Sequence, residues 1–227
     1  DIMPVKVEMA EVKKQKNCSC NRDFTEEELE DLIKTMTGGT KIWQGSDIAD
    51  KSIKSLVLEL NTMFKSYSIN RCMQKISFLA NVYGETGFFH LSKEQVSKWK
   101  SSQSIYKGRG ILQITGVKAE GSEYYNEPGP YRDYGKHVGK EKEIVENPDI
   151  ISSSLHYSVD VGGWEAKHKK ANTWESAWTG QEAQYNNLRI EKRDHFSKGL
   201  GKSLIELGLL IEEEKYFWFQ AKNLNGY

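Results

Sequence analysis

Apolar residues recur at helical spacing along the middle of the chain. Leu29, Leu32, Ile33 and Met36 follow Thr25 and Glu28, a capping-box pair, and Gly38-Gly39 closes the run, which predicts a first helix. Ile53, Leu56, Val57, Leu60 and Phe64 predict a second. Ile69, Cys72, Met73, Ile76, Leu79, Ala80 and Tyr83 predict a third, with a stripe wide enough for a central, largely buried helix. The pattern then changes. In "YKGRGILQITG", residues 106–116, Ile111, Leu112, Ile114 and Thr115 read as a short strand, and the glycines before them let the backbone turn or pack closely. Residues 120–134 hold Pro128, Pro130 and several Tyr, and read as a long loop or small hairpin insertion. Helices are expected again over 153–167, 182–197 and 203–210. The opening residues are charged and unpatterned. The expected organisation is an N-terminal arm or linker over 1–23 and a mainly α-helical domain over 24–227.

Composition narrows the function classes. At 227 residues the chain is long enough to bury a core. Lys plus Arg and Asp plus Glu both number 32, a balance that argues against gripping nucleic acid or an anionic membrane. No apolar run approaches the roughly 20 residues of a membrane span. Six Trp and eleven Tyr in a polar chain suit stacking on sugar rings, although core packing is the commoner reading of any single Trp. No charged-then-apolar signal segment opens the chain, which begins at Asp1, so a mature form or a piece of something longer is expected.

Cys18, Cys20 and Cys72 define no metal site. Cys18-Ser-Cys20 lacks a second pair, and His137, His156, His168 and His195 show no ligand spacing, so no metal and no other cofactor is expected. Cys72, on an apolar helical face, reads as a buried thiol; a disulfide from Cys18 or Cys20 is the alternative.

Candidate chemistry lies where the third helix ends. In "NVYGETGFF", Glu85 falls in the last turn, with Gly87 as the natural stop. The negative end of the helix and the nearby Tyr83, Phe88 and Phe89 suit a carboxyl that donates a proton, as a glycosidase requires. An ordinary helix-end carboxylate is the bland alternative. Glu94 follows nine positions on, beyond the helix-breaking glycine, so a turn can set the two across a cleft. A separation of roughly 6.5–9.5 Å would leave room for a water and predict inversion. Glu94 with Lys93 and Lys98 reads equally well as a solvated face. The Gly-Arg-Gly run is no phosphate loop, since neither Lys-Ser/Thr nor a long helix follows it. Gln113 and Thr115 instead suit hydrogen bonding to a neutral polar ligand such as a sugar.

Taken in order, "GETGFF", Glu94, "YKGRGILQITG" and "NPDIISSSLHYSVDVGGWEAK" resemble the family 19 glycoside hydrolases, the plant-type chitinases and bacterial or phage endolysins of the lysozyme-like superfamily. The resemblance covers about residues 69–196. It implies a lysozyme-like fold with a short strand or hairpin beside the cleft, Glu85 as general acid and Glu94 as general base. It also implies substrate-binding roles for Tyr106, Arg109, Gln113, Thr115 and Trp164, and for Asn186, Asn187 and Arg193 in "NNLRIEKRDHF", with Arg109 helping to hold the acidic site in shape. The chain departs from the family pattern at Gly84, where His is common, at Phe88, where Gly is common, and in an insertion after Gly116.

The expected activity is hydrolysis of β-1,4 bonds in a polymer containing N-acetylglucosamine, with inversion. Peptidoglycan is the first substrate, because no cysteine-rich chitin-binding module is present and the short acid–base interval resembles that of the endolysins. Chitin is the alternative, and an inactive saccharide-binding module is the reading from another class. Delivery to the bacterial cell wall by phage lysis or a secretion-system effector is the expected setting, with a cognate inhibitor as the partner such delivery implies.

Overall fold

A computed structural model describes residues 22–70, 72–95 and 101–169. Helix α1 (Glu26–Thr37) begins as its sequence dictates: the Thr25 hydroxyl accepts the Glu28 amide at 3.1 Å, and Glu26, Glu27 and Glu28 face the positive end of the helix. Gly38, at φ 79°, ends it by donating to the Lys34 carbonyl. Helix α2 (Ile53–Ser66) is capped by Ser52 and buries Ile53, Leu56, Val57, Leu60, Met63 and Phe64. Asn61, buried on the same helix, bonds both the amide and the carbonyl of Phe24 at 2.9 Å, and so docks the chain ahead of α1.

Helix α3 (Cys72–Glu85) lies in the core, with Phe78 edge-on to Phe64 at 5.5 Å. Ile69, which the apolar spacing assigned to this helix, is fully buried in the link ahead of it. Three short helices follow: α4 (Pro130–His137), α5 (Glu141–Glu146) and α6 (Asp149–Ser153). The last described helix, α7 (Leu155–Trp164), continues as a π turn over Glu165–Lys169. Helix α7 packs on α2 and α6, and α4 packs on α5. The contact between α7 and α2 requires glycine: a Cβ on Gly163 would lie 2.3 Å from Tyr67 Cδ2 and 2.6 Å from Met63 Cγ. A carboxylate fastens the same junction, since Asp160 Oδ2 accepts the hydroxyls of Tyr67 at 3.0 Å and Tyr134 at 2.6 Å. Burial and that carboxylate push both phenols well above the ordinary tyrosine range.

The mainly helical architecture agrees with the apolar spacing, and the third helix ends at Glu85 as expected. The strand expected at Ile111 does not form. Residues 110–113 make a turn, and among the described residues the β-structure consists of isolated antiparallel bridges, Lys93 with Arg109, Arg109 with Ile114 and Val117 with Glu127. The physical reason is the placement of the apolar side chains. Ile111 donates its amide to the Ser158 carbonyl and its side chain meets Gly162, whereas Leu112 and Ile114 line a cleft, so the run is a turn anchored on α7 by Ile111 instead of a strand alternating across a sheet. The Val117–Glu127 bridge makes the insertion a small hairpin. Helices α4, α5 and α6 were not foreseen, although Pro130 at the first position of α4 is a recognisable start signal. The helices expected over 182–197 and 203–210, with Cys18 and Cys20, lie outside the described residues.

Candidate active site

The turn after α3 is built by its own sequence. The Phe88 amide donates to the Tyr83 carbonyl at 2.9 Å across Gly87 at φ 57°, the longer bond of a Schellman cap. The hydrophobic contact that accompanies such a cap is present, with the Phe88 and Tyr83 rings 4.7 Å apart. Thr86, fully buried, accepts the Phe89 amide on its hydroxyl and takes the amides of His90 and Leu91 on its carbonyl. Phe89 packs edge-on to Trp43 in the core. Phe88 is 54% exposed, whereas Tyr83 and Phe89 are buried. Glu85 itself is half-buried at the helix end and faces a cleft.

Glu94 reaches that cleft from the next segment. Its amide donates to the Gly108 carbonyl at 2.8 Å, and its Oε2 accepts the Gly108 amide at 3.1 Å. The Gly110 amide bonds the Ser92 carbonyl at 2.8 Å, and Ser92 Oγ donates to the Ser152 carbonyl at 2.6 Å. Segments 92–94 and 108–114 are thereby stitched to each other and to the end of α6. Gly110 has no room for a side chain: at φ 80°, its Cβ would stand 2.6 Å from Val161 Cγ1. Gln113, at φ 55°, donates from Nε2 to the Gly110 carbonyl at 2.8 Å, and Thr115 donates its hydroxyl to the Gln113 carbonyl at 3.2 Å.

The cleft encloses about 600 Å³ and is lined by Glu85, Glu94, Gln113 and Thr115 among others, so four of the expected site residues meet there. The size and the mixed lining suit one or two sugar rings. Tyr125 of the hairpin also lines it, with Lys118 over its ring at 5.3 Å. Glu165, just past α7, is a third lining carboxylate that sequence reasoning missed. Its signal is the one that flagged Glu85, an acidic residue beside an aromatic at a helix end. Among the described residues no group of three or more His, Cys, Asp or Glu is placed to hold a metal ion, and no helix is long and apolar enough to cross a membrane.

Three of the expected substrate contacts stand elsewhere. Arg109 is 4% exposed and is spent on the protein: its Nε and Nη2 reach Asp149 Oδ1 at 2.9 Å, and Nη1 donates to the carbonyls of Ile105 and Lys107 and to the Tyr131 hydroxyl. Tyr131 in turn donates to the Lys107 carbonyl. Tyr106 is buried, donates to the Val145 carbonyl at 2.8 Å and packs its ring 5.2 Å from Tyr131. Trp164 is buried against Tyr134 at 5.6 Å. Each is an amphipathic side chain absorbed by the core behind the cleft. Asn186, Asn187 and Arg193 lie outside the described residues.

No protein-family model matches the sequence, and no curated protein matches it as a relative. Among solved structures, the chain is similar to a mutant of chitinase C, with 16% identity, a TM-score of 0.48 and coverage of 77% of this chain and 91% of that one. It is also similar to chitinase C from Streptomyces griseus HUT6037, with 19% identity, a TM-score of 0.44 and coverage of 76% of each chain.

Proposed function

We propose that this chain is a glycoside hydrolase that cleaves β-1,4 bonds in a polymer containing N-acetylglucosamine by a single, inverting displacement. The observation that carries this reading is that Glu85 and Glu94, on separate segments, line one cleft together with the neutral hydrogen-bonding side chains of Gln113 and Thr115. In the reaction Glu85 gives its proton to the glycosidic oxygen as the bond to the anomeric carbon breaks. A water attacks that carbon from the opposite face and passes a proton to Glu94. The link from Gly108 to Glu94 Oε2 orients the carboxylate. Gln113 and Thr115 hold the sugar, whose acetamido and hydroxyl groups match their donors and acceptors.

Peptidoglycan is the substrate we favour and chitin the alternative, with the bacterial cell wall as the place of action. The test is release of new reducing ends from purified peptidoglycan and from chitin oligomers, with Glu85→Gln as the control. Release by the unaltered chain and none by the variant is the expected result; binding of either polymer without release would make the chain a saccharide-binding module.

A further inference from the structure

A pyranose offers two kinds of surface, polar groups around its edge and C–H groups on its faces, and an aromatic ring is the side chain that covers a C–H face. Among the described residues that line the cleft, Tyr125 is the one aromatic. Tyr106 and Trp164, expected to meet substrate, are buried in the core behind it. The hydroxyls of Tyr67, Tyr83, Tyr106, Tyr131 and Tyr134 are each bonded to the protein. Tyr125 differs. It is half-buried, and among the described residues its side chain makes no hydrogen bond, while the Lys118 ammonium stands over its ring at 5.3 Å.

The backbone of the hairpin holds this residue in place. Val117 and Glu127 exchange amide-to-carbonyl bonds at 2.8 and 3.0 Å, which closes the insertion that follows Gly116. The Tyr125 carbonyl accepts the Tyr106 amide at 2.9 Å, and the Tyr125 amide donates to the hydroxyl of buried Ser104 at 3.2 Å. On the other arm the Gly116 amide donates to the Tyr106 carbonyl at 2.8 Å, so closely that a Cβ on Gly116 would lie 2.5 Å from Tyr106 Cβ. Both arms are thus fastened to segment 104–106, which runs on to Gly108 and its bond to Glu94. An aromatic residue presented by so fixed a backbone loses little freedom on meeting a ligand.

We propose that Tyr125 is a specificity-determining residue that stacks its ring on a pyranose of the substrate, which makes the hairpin inserted after Gly116 part of the saccharide-binding cleft. The inference rests on the glycosidase reading for the class of ligand. Gln113 and Thr115 meet the polar edge of the sugar, and Tyr125 covers a C–H face that chitin and peptidoglycan strands share.

The experiment measures equilibrium binding of chitin hexamer, and of peptidoglycan strands stripped of stem peptides, to Glu85→Gln alone and combined with Tyr125→Phe, Tyr125→Leu, Tyr125→Ala or Tyr124→Ala. Losing one stacked ring should weaken binding of both saccharides by about threefold to tenfold in Tyr125→Leu and Tyr125→Ala. Tyr125→Phe keeps the ring, and Tyr124 is on the same hairpin but does not line the cleft, so these two variants should bind as Glu85→Gln does. Thermal unfolding checks each variant, and Tyr125→Leu, which keeps apolar bulk without a flat face, carries the test if Tyr125→Ala does not fold. Unchanged binding in Tyr125→Leu, an equal loss in Tyr125→Phe or Tyr124→Ala, or a loss confined to one saccharide overturns the proposal. If the unaltered chain cleaves neither saccharide but binding depends on the Tyr125 ring, the hydrolase reading fails and this one stands. If cleavage occurs and binding ignores Tyr125, this one alone fails; if neither saccharide binds, both fail.

Discussion

Glu94 and Gly108 are joined by a reciprocal pair of hydrogen bonds, the Glu94 amide to the Gly108 carbonyl at 2.8 Å and the Gly108 amide to Glu94 Oε2 at 3.1 Å. The carboxylate assigned to activate water is thus held by the loop that presents Gln113. A Cβ on Gly108 would lie 2.8 Å from Gln113 Oε1 and 3.4 Å from its Cβ, and the far end of a side chain can give way. Gly108→Ala should therefore fold with a modest loss of stability while displacing Gln113, and its KM on chitin or peptidoglycan oligomers should rise. Unchanged kinetics would show that Gln113 does not need its present position.

Glu94→Gln keeps the shape of the side chain and an acceptor for the Gly108 amide but cannot take a proton. Turnover should fall by roughly 10²–10⁴-fold with the melting temperature nearly unchanged. Retention of more than about a tenth of the activity would remove Glu94 from the role of base, and Glu165 would be the next carboxylate to vary.

Gln113 offers a test that separates folding from binding. Its left-handed backbone costs about 1–2 kcal/mol in a residue with a side chain, whereas its bond to the Gly110 carbonyl contributes about 1 kcal/mol. Gln113→Gly removes both, so thermal unfolding should shift little or upward. If Gln113 holds the sugar, KM should rise and kcat fall in the same variant. A stable variant with unaltered kinetics would confine Gln113 to the loop.

Arg109 and Asp149 give a pH signature. Burial raises the Asp149 pKa, but the Arg109 guanidinium, its hydrogen bond and Lys93 outweigh it and hold the carboxyl below its usual 3.8. Asp149 therefore adds stability that is complete above that ordinary value and is lost as pH falls through the lowered one. Arg109→Met should cost about 2 kcal/mol, less than a fully buried pair because the Asp149 side chain is 53% exposed. In that variant the Asp149-dependent part of acid unfolding should disappear, and an unchanged acid limb would place the acid sensitivity elsewhere.

The parts of the fold legible in the sequence were those decided within a few residues. Thr25 caps, Gly38 stops, and Glu85 ends α3 because each outcome depends on backbone groups close along the chain. The turn at 110–113 was not legible, because Ile111 and Leu112 present the same apolar run whether it pairs in a sheet or turns; only the contacts of Gly110 and Ile111 with Val161, Ser158 and Gly162 decide it. The site divided in the same way. Glu85, Glu94, Gln113 and Thr115 converge on one cleft, whereas the polar ends of Tyr106 and Arg109 find carbonyls and a carboxylate that the sequence order could not place beside them.

The most direct measurement of the central claim is the anomeric configuration of the first product, read by proton magnetic resonance during hydrolysis of a chitin or peptidoglycan oligomer, with Glu85→Gln run beside the unaltered chain. The assignment of Glu85 as acid and Glu94 as base predicts that the α-anomer appears first and that Glu85→Gln yields no product. A β-anomer formed first, or turnover by Glu85→Gln above about a tenth of the unaltered rate, would contradict it.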